Sequence, residues 1–214
     1  MKLKLLALSL TAACLCACGE KSQTVELFNG KDLSNWNLFV EEGGAPASEV
    51  YTVVDGVIDV KGLPFGYMYT KDTYSNFELH VEWRWADGVG TNSGIFLFVQ
   101  DPAKLWPNAI ECQLCKGLAG DFVLLGGSDI SEFKLEEGQE RPEFPVVKRM
   151  NESTELAVGE WNKADITCKD GTINVVINGV QQNVGTNSIH KSGHIALQSE
   201  GGPIQFRNVT LKEI

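Results

Sequence analysis

Positive charge is scarce in this 214-residue chain: 18 lysines and arginines stand against 28 aspartates and glutamates, a formal net charge of −10. A polyanion would meet net repulsion instead of a cationic track, which excludes nucleic acid as a partner. Long hydrophobic runs are missing as well. The apolar stretch from Leu5 to Ala13 is shorter than the roughly 20 residues a bilayer-spanning helix requires. There is no Gly-x-Ser-x-Gly elbow, no Walker loop, no His-Glu-x-x-His helix and no EF-hand pattern, so the sequence announces neither a nucleophile elbow nor a phosphate cradle nor a calcium loop of those kinds. No window carries the 3.6-residue period of a long amphipathic helix. What is present is a globular balance, 43% hydrophobic and 21% charged residues with 22 glycines, sufficient to bury one sizeable core.

Six cysteines suggest a disulfide framework until their positions are considered. Cys14, Cys16 and Cys18 crowd the N-terminus, and only Cys112, Cys115 and Cys168 lie in the body. Lys2 and Lys4, the apolar run and Leu15-Cys16-Ala17 before Cys18 have the order of a bacterial export signal ending in a lipobox. Residues 1–17 are therefore expected to be a lipoprotein signal peptide, with Cys18 lipidated and residues 18–24 a tether. A single domain is expected over 25–214. Such a protein is anchored to the membrane of the bacterial cell envelope through lipid alone and does not span it. Cleavage removes two lysines and no acid, leaving 16 basic and 28 acidic side chains and a net charge of −12. Three cysteines then remain, so at least one lacks an intramolecular partner. Cys112 and Cys115 have C-x-x-C spacing but no second pair, which argues against a zinc site.

The body alternates with a period of two. Phe77, Leu79, Val81, Trp83 and Trp85 point one way, and Glu78, His80, Glu82 and Arg84 the other, as on a strand buried on one face. The same pattern recurs in Ile95, Leu97 and Val99; in Ile110, Cys112 and Leu114; in Ile166 and Cys168; in Ile173, Val175 and Ile177; in Ile195 and Leu197; and in Phe206 and Val209 to Leu211. Asp55-Gly56, Asp87-Gly88, Asp170-Gly171 and Asn178-Gly179 are turn dipeptides suited to positive φ. Many strands and few helices in one domain predict an all-β fold, a two-sheet jelly-roll β-sandwich. Residues 116–160, with their prolines and acidic cluster, read mostly as loop, either functional or decorative.

A ligand site on such a sandwich must come from residues that alternate away from the core. Glu78, His80, Glu82 and Arg84 supply one row, Glu111 and Gln113 a second, His194, Gln198 and Glu200 a third, and Asn92 and Ser93 sit at a turn. If these strands are neighbours, carboxylates, amides and a guanidinium converge as sugar-binding sites require. Trp106, Tyr67 and Tyr69 are candidate platforms for a sugar ring, and Trp36, Trp83 and Trp161 read as packing residues. Each outward polar residue taken singly also fits a merely solvated face.

Several short motifs occur together in order: ELFNGKDLSNW (Glu26 to Trp36), FELHVEWRW (Phe77 to Trp85), TNSGIFL (Thr91 to Leu97), IECQ (Ile110 to Gln113), GEWN (Gly159 to Asn162), VINGV (Val176 to Val180) and GHIALQSEGGPIQFRNVTL (Gly193 to Leu211). In this combination the chain, from about Val25 to its end, resembles the 3-keto-disaccharide hydrolase family. The resemblance implies a concanavalin A-like sandwich that cleaves a glycoside oxidised to a ketone at C3, by hydrolysis or by elimination followed by hydration. A C3 ketone acidifies the hydrogen on C2, so a positioned carboxylate can remove it while an acid assists the group leaving C1. By that resemblance Glu111, Glu200 and Arg84 are the catalytic candidates, Arg84 stabilising developing charge on oxygen. Gln113, Gln198, Glu82, His80, Asn92 and Trp106 are the substrate-binding candidates. Many relatives carry His where this chain has Glu200, and often Asp where it has Ser199. No cofactor is called for with certainty; a divalent metal at Glu111, Glu200 or a nearby His would suit a hydrolase of this type, without a firm ligand set. The alternatives are a non-catalytic carbohydrate-binding lipoprotein on the same sandwich and an ordinary glucanase-like hydrolase of unoxidised glycan. The leaving group, anomer and oligomeric state are not written in these residues.

Overall fold

The computed structural model describes residues 23–86 and 88–214. The expected signal peptide, the lipidation candidate Cys18, nearly all of the tether, and Asp87 of the Asp-Gly turn lie outside the described residues.

In chain order the elements are β1 (Thr24–Glu26), β2 (Trp36–Val40), the single helical turn α1 (Ala47–Val50), β3 (Tyr51–Val54), β4 (Val57–Val60), β5 (Gly66–Thr70), β6 (Phe77–Trp85) and β7 (Gly94–Gln100). They continue with β8 (Asn108–Gln113), β9 (Phe122–Leu125), β10 (Val146–Val147), β11 (Asn162–Lys169), β12 (Thr172–Ile177), β13 (Val180–Gly185), β14 (His194–Ser199) and β15 (Ile204–Glu213). Two antiparallel sheets result. The first runs β13-β12-β11-β6-β15-β4-β3, with β1 also paired to β15; the second runs β10-β9-β8-β7-β14-β5-β2. This is the jelly-roll sandwich that the alternation predicts.

The turns follow from residue chemistry. Asp55-Gly56 has φ of 50° and 76°, Asp170-Gly171 53° and 83°, and Asn178-Gly179 50° and 83°. Two successive positive φ angles are the requirement of a type I′ hairpin turn, whose twist matches that of the strands it joins. These dipeptides close β3–β4, β11–β12 and β12–β13.

Between the sheets, Leu79, Val81, Trp83 and Phe206 of the first meet Ile95, Leu97, Ile110, Cys112, Phe122 and Leu197 of the second, all buried in one cluster. Each large side chain removed from water contributes about 1.5–3 kcal/mol before conformational entropy is charged. A smaller cluster of Tyr67, Phe96, Val99, Ala109, Val123, Leu125 and Ala196 lies on the far face of the second sheet, with Phe39, Tyr69, Trp106 and Phe144 packed on it. Alternation along the strands, with Ile95, Leu97 and Leu124 in the central cluster, sends these residues outward. The second sheet is therefore buried on both faces where loops cover it.

One local expectation is corrected and another refined. Val99 does not continue the inward row of Ile95 and Leu97: the ladder to β8 slips between Leu97 and Gln100, Phe98 takes a φ of 56°, and Phe98 enters the central core while Val99 joins the outer cluster. A bulge of this kind reverses the faces that follow it. Residues 116–160 are mostly loop, as expected, but two short strands lie within them, β9 beside β8 and β10 beside β9. Phe122-Val123-Leu124-Leu125 has no alternation to reveal β9, since all four side chains are buried.

Candidate active site

The outward face of the second sheet carries two acids. Glu111 sits on β8 between Phe96 of β7 and Val123 of β9; its neighbours Ile110 and Cys112 fill the central core, so its own side chain turns outward. It is 3% exposed. Room for the carboxyl comes from Gly94, one pleat along β7: a Cβ there would fall 2.7 Å from both Cγ and Cδ of Glu111. Glu200 follows β14 immediately and is bridged through the backbone to Asn92.

Amides orient these acids. Gln198 Nε2 donates to Glu200 Oε2 at 2.6 Å, and Asn92 also hydrogen-bonds Glu200. Gln113 Oε1 accepts the backbone N–H groups of Leu114 at 3.0 Å and Cys115 at 2.9 Å, which leaves its amide NH₂ as the group to offer a ligand. Ser93 Oγ donates to the carbonyl of Gln198 at 2.8 Å, tying the Asn92 turn to β14. Three acceptor oxygens, Glu111 Oε1, Gln198 Oε1 and Asn92 Oδ1, are buried without a partner among the described residues. An unmade buried hydrogen bond costs about 1–3 kcal/mol, so the site rewards a ligand that brings hydroxyl donors.

The two acids differ in surroundings. Burial, and next the carboxylate of Glu200, push Glu111 well above the usual carboxylate range. Burial also raises Glu200, but the hydrogen bonds from Gln198 and Asn92 oppose it. Paired groups whose environments separate them in this way divide naturally into an acid and a base: Glu111 holds its proton the more tightly, and Glu200 is the better anion.

Asn92, Gln113, Glu111 and Glu200 line one pocket of about 260 Å³ whose other walls are Trp106, Phe144, Val123, Leu125 and Val146. Trp106 meets Phe144 edge-on at 5.4 Å. Carboxyls and amides on one side with aromatic and aliphatic surface on the other suit a single sugar ring. Among the described residues no three His, Cys, Asp or Glu side chains gather as metal ligands; a divalent cation here would have Glu111 and Glu200 with the amide oxygens of Gln198 and Asn92.

The structure thus brings together Glu111, Glu200, Gln113, Gln198, Asn92 and Trp106. It does not bring Arg84, Glu82 or His80 to them. These three stand on β6, which pairs with β11 and β15 in the first sheet, and their outward face lies on the opposite side of the sandwich. Their grouping with Glu111 is corrected for that reason. Tyr67 is no platform either: it is fully buried, its hydroxyl set 2.9 Å from the carbonyl oxygen of Pro102 and 2.7 Å from that of Lys104, with its one proton to donate between them. Sequence reasoning passed over Gly94, Val123, Leu125, Phe144 and Val146. A glycine inside an otherwise apolar strand is the usual sign of close approach, and Gly94 in Ser-Gly-Ile-Phe carries that sign.

A jelly-roll sandwich with this acid pair in a ring-sized pocket has the build of a glycoside hydrolase-like protein. Over residues 23–212 the chain matches the 3-keto-alpha-glucoside-1,2-lyase-like domain, and it belongs to that family. Its fold is shared with a protein provisionally named a glycosyl hydrolase from Parabacteroides distasonis ATCC 8503, at 24% identity and a TM-score of 0.64 over 90% of this chain and 100% of that one. A Bacillus licheniformis β-glucanase aligns at 13% identity and a TM-score of 0.57 over 90% and 98%. The carbohydrate-binding module CBM66 of Bacillus subtilis aligns at 13% and 0.55 over 84% and 96%. No match is found among curated proteins.

Proposed function

We propose that the protein cleaves glycosides whose sugar carries a ketone at C3, with Glu200 as base and Glu111 as acid. The observation that carries this reading is the acid pair itself, one carboxyl buried and raised, the other anchored by Gln198 and Asn92. In the first half-reaction Glu200 takes the proton from C2, which the adjacent ketone acidifies. The C2–H electron pair becomes the C1=C2 double bond, the C1–O bond breaks toward oxygen, and Glu111 protonates the departing alkoxide. Hydration reverses the roles: water adds to C1 and gives a proton to Glu111, while protonated Glu200 returns one to C2. The sum is hydrolysis. Gln113, Gln198 and Asn92 hold ring hydroxyls, and Trp106 with Phe144 covers an apolar sugar face.

The test is incubation of the protein with an aryl 3-keto-glucoside, following aglycone release together with the ultraviolet absorption of the unsaturated keto-sugar. Release with that transient supports elimination; release without it supports direct hydrolysis. Glu111→Gln is expected to lower turnover by about 10²–10⁴-fold with sugar binding retained. Binding without turnover by the unaltered protein would leave the carbohydrate-binding reading, which the likeness to a binding module favours.

We further propose, from the leader sequence Leu15-Cys16-Ala17-Cys18, that the protein is lipidated at Cys18 and faces outward from a membrane of the bacterial envelope. Mass spectrometry of the mature N-terminus decides this: an acylated Cys18 supports it, and an unmodified N-terminus elsewhere overturns it.

A further inference from the structure

The outward row of β6, displaced from the pocket, is organised for another purpose. Asp59 accepts from Gln205 Nε2 at 2.8 Å, and Gln205 Oε1 accepts from Arg84 Nε at 2.8 Å. The Arg84 guanidinium lies 4.7 Å from the ring centre of Trp161, and that of Arg207 lies 4.0 Å from the same ring. Arg207 Nε donates to Glu82 at 2.7 Å; His80 stands 3.6 Å from Glu82 and 2.6 Å from Asp165. Each guanidinium is held by its Nε and by one indole, and each carries its Nη groups free of any acceptor among the described residues. Arg84 has no carboxylate partner among those residues, whereas Glu82 neutralises Arg207. Arg84, Arg207 and Glu82 together carry one positive charge, while Asp59, joined to Arg84 through Gln205, and Asp165, beside His80, set two acids on the same face.

We propose that Arg84 and Arg207, braced by Trp161, form a clamp for a phosphate group on the face of the first sheet opposite the Glu111 pocket. Guanidinium forks whose rotamers are already fixed lose little entropy on binding, and their paired N–H groups match the oxygens of a phosphate. Two sources can supply that group, a free phosphate ester or a membrane lipid headgroup. The second gains from position: Thr24, where the described chain emerges from the N-terminal segment, lines a groove on this face with His80, Asp165 and Lys212. A lipid headgroup held there would turn the Glu111 pocket away from the bilayer.

The test compares the intact protein with Arg84→Gln, which leaves the Arg207–Glu82 pair in place, and uses unfolding temperature to confirm that the variant is folded. Inorganic phosphate is titrated at low ionic strength while tryptophan fluorescence is followed, with Trp161→Phe identifying the reporting ring. In parallel, sedimentation is measured with vesicles of phosphatidylglycerol and phosphatidylcholine against phosphatidylcholine alone, using protein without its lipid. Saturable phosphate binding weakened at least tenfold by Arg84→Gln supports the clamp. Arg84-dependent sedimentation with the anionic vesicles assigns the lipid source, and its absence beside phosphate binding assigns the soluble one. Failure of both ligands to bind, or equal binding by a folded Arg84→Gln, overturns the proposal. Turnover of a keto-glucoside does not enter this readout, so the clamp and the catalytic reading stand or fall separately.

Discussion

The carboxyl of Glu111 occupies the space that a side chain at Gly94 would fill, with the Cβ position of residue 94 only 2.7 Å from Glu111 Cδ. The glycine is what allows an acid on β8 to lie along β7, toward the strand that carries Gln198. Gly94→Ala is expected to displace the carboxyl. Overpacking at such a site costs about 1–3 kcal/mol, a modest fall in unfolding temperature. The larger effect is on chemistry, a fall in kcat of at least about tenfold, since small displacements of a positioned acid are expensive. Unchanged kcat in a folded Gly94→Ala protein would show that the position of Glu111 does not govern the rate.

The acid pair dictates a pH profile. Glu200 must be ionised to act as base and Glu111 protonated to act as acid, and burial raises both. The active window therefore lies above the ordinary carboxylate range, near 4.3 for glutamate, and closes on the alkaline side as Glu111 ionises. Gln198 lowers Glu200 through its hydrogen bond. Gln198→Ala is accordingly expected to shift the acid limb of kcat/KM toward higher pH. An acid limb that stays in place in this variant would mean that Glu200 is not the group responsible.

How far these features were legible in the chain depends on how local their causes are. Hairpin turns at Asp170-Gly171 and Asn178-Gly179 arise from residues that tolerate positive φ, and the inward row of Leu79, Val81 and Trp83 from a period of two; both are written in neighbouring residues. Strand pairing is not. Glu82 and Arg84 looked like companions of Glu111, yet β6 finds its partners in β11 and β15, one far along the chain and the other at its end. The Val99 reversal needed the bulge at Phe98, and β9 lost its alternation because a loop covers its outer face. Glu111, Gln113, Gln198 and Glu200 stand out through outward alternation and the motifs of the family resemblance, while the one sheet that unites their strands was not legible; Phe144 was missed because only the folded loop brings it to Trp106.

Thiol reactivity should divide the three body cysteines. All are free; Cys112 and Cys168 are buried and Cys115 is partly exposed. Burial raises each thiol, and nearby acids, Glu155 first, raise Cys115 further. A thiolate-directed reagent at neutral pH is expected to label Cys115 alone, slowly, with Cys112 and Cys168 reacting only after denaturation. Peptide mapping by mass spectrometry checks this, and fast labelling of Cys112 in the native protein would contradict its place in the core.

The raised Glu111 also fixes the sign of a stability effect. A folded state that binds its proton more tightly than the unfolded chain is favoured at low pH and loses that advantage as pH climbs from the unfolded pKa to the folded one. Across that interval the unfolded glutamate is ionised and the folded one is not, and each pH unit removes about 1.4 kcal/mol of stability. Glu111→Gln cannot ionise and lacks this slope. Its unfolding temperature relative to the unaltered protein should therefore rise steadily from the ordinary carboxylate range upward, by about 2–4 °C for each kcal/mol in a domain of this size. Burial is the first cause of the shift and the charge of Glu200 the second, so Glu200→Gln should narrow the pH interval over which stability is lost without closing it. Thermal unfolding of the three proteins between pH 4 and 9 measures both effects, and parallel curves for Glu111→Gln and the unaltered protein would show that Glu111 ionises in the folded state as it does in water.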